Sequence, residues 1–317
     1  MTKIQEIADK IKTEVCQVFK GNTDLVERVL ACLFAGGHVL LEDVPGTGKT
    51  VLAKAVAKAS GLAFNRIQCT PDLMPSDVTG SSVWLPDSKK FEFRAGPVMA
   101  SIVLVDELNR ATPRTQSALL ECMAEGQVSV DGTRHELDKP FFVLATENPV
   151  ESEGTFPLPE AQKDRFMMTL SMGYPSEADE AEIITAQRSL THPVENIHAV
   201  VGKDDILEAM KEAVEIHVDE AVLAYLIALS KASRNDLRIA AGISPRGSIA
   251  LYKACQAYAA VQGRTFITPE DVKHLALPVF RKRIILNSDS LLKGYSAESI
   301  IKDLIEQVPL PAFKAHV

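Results

Sequence analysis

The sequence predicts an α/β chain built on a parallel sheet and followed by a helical region. Three observations carry that prediction. Short apolar runs without alternation recur at residues 39–41, 101–105 and 141–145, the pattern of strands buried on both faces. Pro45-Gly46-Thr47-Gly48-Lys49-Thr50 joins the first run to an Ala-rich helical stretch, 51–59. From residue 177 onward, strand-like runs give way to helical periods.

Taken in order, residues 3–19 place Ile4, Ile7, Ile11, Val15 and Val18 on one helix face. Asn22 or Thr23 can cap a second helix, which passes through Leu25, Val29 and Leu33 and stops at Gly36-Gly37. Between them, Val18 to Gly21 reads either as plain connector or as cover for an adenine base. The run at 39–41 then enters the glycine loop. Successive backbone N–H groups and a helix N-terminus there converge on one spot, which attracts an oxyanion. The expected contacts to ATP are Pro45, Gly46, Thr47, Gly48, Lys49, Thr50 and Val51. Lys49 reaches the β- and γ-phosphates, and the Thr50 hydroxyl ligates Mg²⁺. The usual pattern has a glycine five residues before Gly48, where this chain has Asp43.

Residues 63–68 read as a second strand. Residues 69–98 hold many turn residues and little period, so they read as an insertion with local structure of its own and a contact surface. Trp84, within it, reads as a local packing anchor. The run at 101–105 ends in Asp106-Glu107. An acidic pair at such a strand end suits Mg·ATP hydrolysis, with Asp106 holding the metal through water and Glu107 polarising the attacking water. A helix follows over 112–125, then a hairpin over 127–137 around Asp131-Gly132. The run at 141–145 leads to Asn148, which can bond the γ-phosphate or the attacking water. A further strand is expected at 167–170. Just before it, Arg165 reads either as half of a surface ion pair with Asp164 or as a functional charge. Helices are expected over 177–190, 203–214, 219–235, 246–262, 269–280 and 297–307. Arg246 falls in the first turn of one of them, where a cation opposes the helix dipole and a phosphate partner would relieve it.

Composition narrows the function. A net charge of -8 argues against general nucleic-acid binding. Five cysteines without metal-ligand spacing fit buried thiols in a reducing compartment. The start carries no signal-peptide pattern, and no apolar run is long enough to span a membrane. A cytoplasmic protein is expected.

Several segments together resemble the MoxR family of AAA+ ATPases. They are residues 35–50, 70–80, Val105-Asp-Glu-Leu-Asn-Arg110, Ala145-Thr-Glu-Asn-Pro149, 158–166 and Ile243-Ser-Pro-Arg-Gly247. The resemblance implies a P-loop αβα core over residues 1–172 and an all-helical lid over 173–317, with ATP between them. It implies that Asn148 is sensor 1, that Arg246 is sensor 2, and that Arg165 is an arginine finger acting on the neighbouring subunit. The insertion would be the helix-2 insert, and the hairpin the one preceding sensor 1. It further implies a hexameric ring that remodels a protein client, working with a partner that carries a von Willebrand factor A domain. Asn22 and Glu147 depart from the glutamines expected there.

Two other functions share these motifs. A nucleic-acid motor would use the hairpin's Arg134 and His135, and nucleic acid would stimulate its turnover. A scaffold assembling on ATP would hydrolyse little, against the intact Asp106-Glu107 pair.

Overall fold

The computed structural model describes residues 2–44, 46–148, 154–186, 188 and 191–310. In chain order the first part contains α1 (Lys3–Cys16), α2 (Thr23–Phe34), β1 (Val39–Glu42), α3 (Lys49–Ala59) and β2 (Phe64–Gln68). It continues with α4 (Pro75–Thr79), β3 (Gly80–Leu85), β4 (Lys90–Ala95), β5 (Ile102–Asp106), α5 (Pro113–Glu125), β6 (Gln127–Val130) and β7 (Thr133–Glu136). β8 (Phe142–Glu147), α6 (Glu160–Lys163) and β9 (Met168–Leu170) complete it. The rest contains α7 (Glu177–Ala186), α8 (Lys203–Ala213), α9 (Glu220–Asn235), β10 (Ile239–Ala241), α10 (Pro245–Val261), α11 (Pro269–Phe280), β11 (Ile285–Leu286), α12 (Ser288–Leu292) and α13 (Ala297–Gln307).

The central sheet is parallel, in the order β2-β5-β8-β1-β9. Its runs are apolar because both faces are covered. Val39, Leu41, Ile102 and Leu104 enter one core, while Leu40, Val103 and Val105 enter the other. Side chains alternate across a strand, so a strand with two dry faces shows no alternation of polarity. His38, just before β1, is buried in its neutral form. Its Nδ1 accepts from the Val143 amide (3.1 Å) and its Nε2 faces the Met123 carbonyl (3.2 Å), while burial pushes its pKa down to about 4.

The order of the strands sets the site. β1 lies beside β8, and β8 beside β5, so the C-terminal ends of the three come together. Ligands of open parallel sheets sit at those ends. The loop after β1, the acidic pair ending β5 and Asn148 after β8 are thereby gathered without any long excursion of the chain.

The first core also includes residues of α8, α9, α10 and α11, packed with α1, α2 and α3. The change to helices after β9 is therefore not a break in packing. A short basic run after α11 adds polar ties across it. Arg281 and Lys282 both pair with the buried carboxylate of Glu42, Arg281 at 3.0 Å. Arg283 is itself buried and donates to Asp164 Oδ1 (2.5 Å) and to the carbonyls of Phe166 (2.6 Å) and Met167 (3.1 Å).

Several expectations are corrected. The region after residue 177 is not wholly helical, because β10 and β11 form an antiparallel ribbon. Residues 69–98 agree with the expected local structure: they hold α4 and the β3–β4 hairpin, in which Trp84 pairs edge-to-face with Phe91 at 5.2 Å. The first helix ends at Cys16 and not at residue 19. The helix beginning at 177 is followed to Ala186, and Leu190 lies outside the described residues. Asp164 does not pair with Arg165 but with Arg283.

Candidate active site

The phosphate loop has the backbone that its glycines predict. Gly46 and Gly48 have φ of 86° and 93°, which side chains rarely tolerate. A Cβ on Gly46 would meet nothing within 4 Å, so backbone angle and not crowding selects that glycine. Gly48 stands at the N-cap of α3, whose first turn has no acidic residue to compete with an anion. The Lys49 ammonium is half-buried and donates to the Asp43 carbonyl (2.7 Å). Burial lowers its pKa, against the upward pull of Asp43, Asp106 and Glu107. Pro45 lies outside the described residues.

Opposite the loop, Asp106 and Glu107 end β5. Asp106 accepts from Arg66 Nε (2.6 Å) and from the Thr146 hydroxyl (3.3 Å). The Glu107 amide donates to the same hydroxyl (2.8 Å), so Thr146 spans both acidic residues. Glu107 has a φ of 55°, strained for a side chain with a Cβ and costing on the order of 1–3 kcal/mol. The strain turns its carboxylate to Gln68 Nε2 (3.2 Å) and an Arg110 guanidinium N–H (3.0 Å). Arg66, Gln68, Arg110 and Thr146 were not singled out from the sequence. Arg66 and Gln68 do alternate along a strand end, but their partners follow from the β2–β5 register, which sets Gln68 against Asp106.

These groups surround one cavity of about 340 Å³, lined by Gly46, Gly48, Lys49, Thr50, Asp106, Glu107 and Asn148 among others. A second cavity, of about 650 Å³, shares Gly46, Gly48 and Val51 with it. Its walls include Val18, Gly21, Met172, Ile183 and Ile184. The expectation that Val18 and Gly21 cover a base thus falls on a largely apolar chamber that opens onto the phosphate loop. Asn22 also lines it, and its Oδ1 accepts from the Leu25 amide (3.2 Å), so the departure from glutamine supplies the cap of α2.

The two expected arginines lie elsewhere. Neither Arg165 nor Arg246 lines either cavity. They share a different neighbourhood: Asp164 accepts from Arg283 and from the Ser244 hydroxyl (3.4 Å), the N-cap of α10. Arg246 is exposed in the first turn of that helix, as expected, and α10 packs against α2. Among the described residues, neither guanidinium has a hydrogen bond or ion pair.

The strand ends carry one further acidic pair. Glu42 and Glu147 are register partners of β1 and β8. Burial, then repulsion from Glu42, raises the pKa of Glu147.

The residues present suit a nucleoside triphosphate and its metal. Joined apolar and polar cavities match a base and a phosphate chain, with Lys49 and an uncapped helix N-terminus at the join. Thr50 and Asp106, oxygen donors on one cavity, suit Mg²⁺, which keeps most of its shell as water and phosphate.

Comparison with known proteins agrees. The model of the "ATPase family associated with various cellular activities (AAA)" matches residues 38–168, and that of the AAA lid domain matches residues 231–304. The YeaC protein of Bacillus subtilis is 44% identical, over 99% of this chain and 98% of its own. "Chaperone MoxR1" of Mycobacterium tuberculosis is 39% identical, over 95% of this chain and 82% of its own. "Protein MoxR" of Paracoccus denitrificans is 32% identical, over 93% of this chain and 94% of its own. A crystal structure of a provisionally named ATPase from Cytophaga hutchinsonii superposes with a TM-score of 0.91 at 38% identity, covering 98% of this chain and 97% of that one. A parallel P-loop core, a helical lid and these relatives together establish that the chain belongs to the MoxR family of AAA+ ATPases.

Proposed function

We propose that this ATPase acts as a chaperone-like remodeller of a protein client, in a hexameric ring whose active sites are shared between subunits. The observation that carries the reading is the split described above. Lys49, Thr50, Asp106, Glu107 and Asn148 surround one cavity, while Arg165 and Arg246 line neither it nor the chamber beside it. Residues 1–172 serve as the nucleotide-binding region and 173–317 as the lid. Val18, Gly21 and Val51 hold the base side of ATP. Gly46, Thr47 and Gly48 offer backbone N–H groups to the phosphates, with Pro45 as part of the same loop.

In this mechanism Lys49 leaves the Asp43 carbonyl to meet the phosphates. Thr50 and Asp106 hold Mg²⁺, which when bound neutralises the phosphate charge. Glu107 must exchange its bonds to Gln68 and Arg110 for the attacking water, and Asn148 orients that water. Arg165 stabilises the transition state in the neighbouring subunit, a contribution of roughly 10³ to 10⁵ in rate for trans arginines. Arg246, carried on the lid, acts as sensor 2.

The client reading is supported by the names of the relatives and by Val83, Trp84 and Phe91, large apolar side chains exposed on the β3–β4 hairpin. A partner with a von Willebrand factor A domain and a cytoplasmic location remain part of the proposal. Among the described residues no helix is long and apolar enough to cross a membrane. The nucleic-acid motor is disfavoured because His135 stacks on Phe93 at 3.7 Å and so packs the two hairpins together. Specific ATPase activity measured against protein concentration tests the shared site. It should rise steeply as subunits assemble, and full turnover in a demonstrably monomeric sample would sink the trans assignment.

A further inference from the structure

Asp43 stands where the usual loop pattern has its first glycine, and it is buried. Its polar groups go to three places. The amide donates to the Glu147 carbonyl (3.4 Å) at the end of β8. The carbonyl accepts from Lys49 Nζ (2.7 Å). The carboxylate accepts from the Ser171 hydroxyl (3.2 Å), the Met172 amide and the Gly173 amide (3.3 Å). A glycine could supply the first two contacts but not the third. Met172 and Gly173 are walls of the apolar cavity. The Met172 methyl also comes within 3.9 Å of where a Cβ on Gly48 would stand. One side chain thus ties the wall beside the base to the loop beneath the phosphates. Bonds from N–H to an ionised carboxylate are short and strong, which suits a tie that must hold one register.

We propose that Asp43 is a positioning residue that sets the base-side wall, residues 171–173, against the phosphate loop, so that one nucleotide fits both cavities at once. This rests on the assignment of the two cavities to ATP. A loop with glycine at position 43 keeps its cradle for phosphate but loses the register of the base pocket.

The test is calorimetric binding of two probes, ATP and inorganic tripolyphosphate, with Mg²⁺, to wild type, Asp43→Asn and Asp43→Gly. Asp43→Gly should weaken ATP by about tenfold or more while tripolyphosphate stays within about twofold. Asp43→Asn should fall between, since its amide still accepts one N–H bond. Ser171→Ala, which removes a single donor, should weaken ATP by about twofold. Unchanged ATP affinity in Asp43→Gly overturns the proposal, and so does an equal loss for both probes, which would make Asp43 part of the cradle. Amide hydrogen exchange over residues 171–174 in the nucleotide-free protein is the second measurement. Protection should drop in Asp43→Asn, and unchanged protection overturns the tie. If wild type binds neither probe, the assignment to ATP fails instead, and the exchange experiment still decides the tie.

Discussion

The cavity at the strand ends and the turn carrying Arg165 handle charge in opposite ways. In the cavity each charged group has a protein partner: Lys49 the Asp43 carbonyl, Asp106 the Arg66 side chain, Glu107 both Gln68 and Arg110. At the turn the backbone is held firmly by buried Arg283, yet Arg165 and Arg246 carry no partner among the described residues. The cavity is self-neutralised and must exchange partners to work. The turn presents cations on a fixed base, and on the proposed reading the counter-charge of Arg165 is the phosphate of a neighbouring subunit. On the shared-site reading proposed above, such a site turns over only when two copies meet.

The sharpest way to break this comparison is Arg165→Ala. Turnover of the assembled protein should fall by roughly 10³ or more, while ATP affinity of the dilute chain stays near wild type. Mixing Arg165→Ala with Glu107→Gln should recover activity above either alone, since one supplies a cavity and the other a finger. If the mixture shows no recovery in steady-state assays, the two regions do not serve one site. Glu107→Gln alone should lower turnover by about 10² to 10⁴ and keep ATP affinity. Near-normal phosphate release would remove Glu107 from its role.

The contrast between Arg283 and Arg246 is next in size. Arg283→Ala leaves Asp164 and several carbonyls without their buried donor and should cost about 3–5 kcal/mol of stability in denaturant titration. Arg246→Ala, at an exposed position, should change stability by no more than about 0.5 kcal/mol while lowering turnover of the assembly. Equal destabilisation by both would mean that Arg246 is structural.

The smallest effect concerns Glu147. Its pKa is raised in the folded state, so the stability tied to its proton is present at low pH and lost as pH rises above the ordinary glutamate range. Glu147→Gln removes that loss. It should melt slightly higher than wild type at pH 7, with the difference vanishing below about pH 4.5. A lower melting temperature at pH 7 would show that the carboxylate is favourably paired, through Lys282 or Lys163.

What was legible in the sequence was local. Lys49, Thr50, Asp106, Glu107 and Asn148 each follow an apolar run closely, so strand and chemistry could be read together. Partners set by register could not. Gln68 meets Glu107 only because β2 pairs with β5 in one particular alignment. The β10–β11 ribbon was missed because strands of three and two residues are too short to show a period. The insertion's own local structure was legible, but not its form as a β3–β4 hairpin, because turn residues flank it, although Trp84 and Phe91 sit opposite each other across it. The first turn of α10 was visible, but its place in the fold was not. Its place depends on α10 packing against α2, more than 200 residues earlier in the chain.

The core that runs from the sheet through α1–α3 into α8–α11 has a mechanical consequence. Halves joined by a large apolar interface do not swing as separate bodies, and the Arg281-Lys282-Arg283 run pins them further. A jaw that opens and shuts within one chain would have to break this shared core. In the ring proposed above, the stroke of hydrolysis would then be a tilt of the whole subunit against its neighbour, with the two stacked hairpins carried along as the tip of a stiff lever. A fluorescence distance between β3 and α10 that changes with ATP in a single subunit would contradict it.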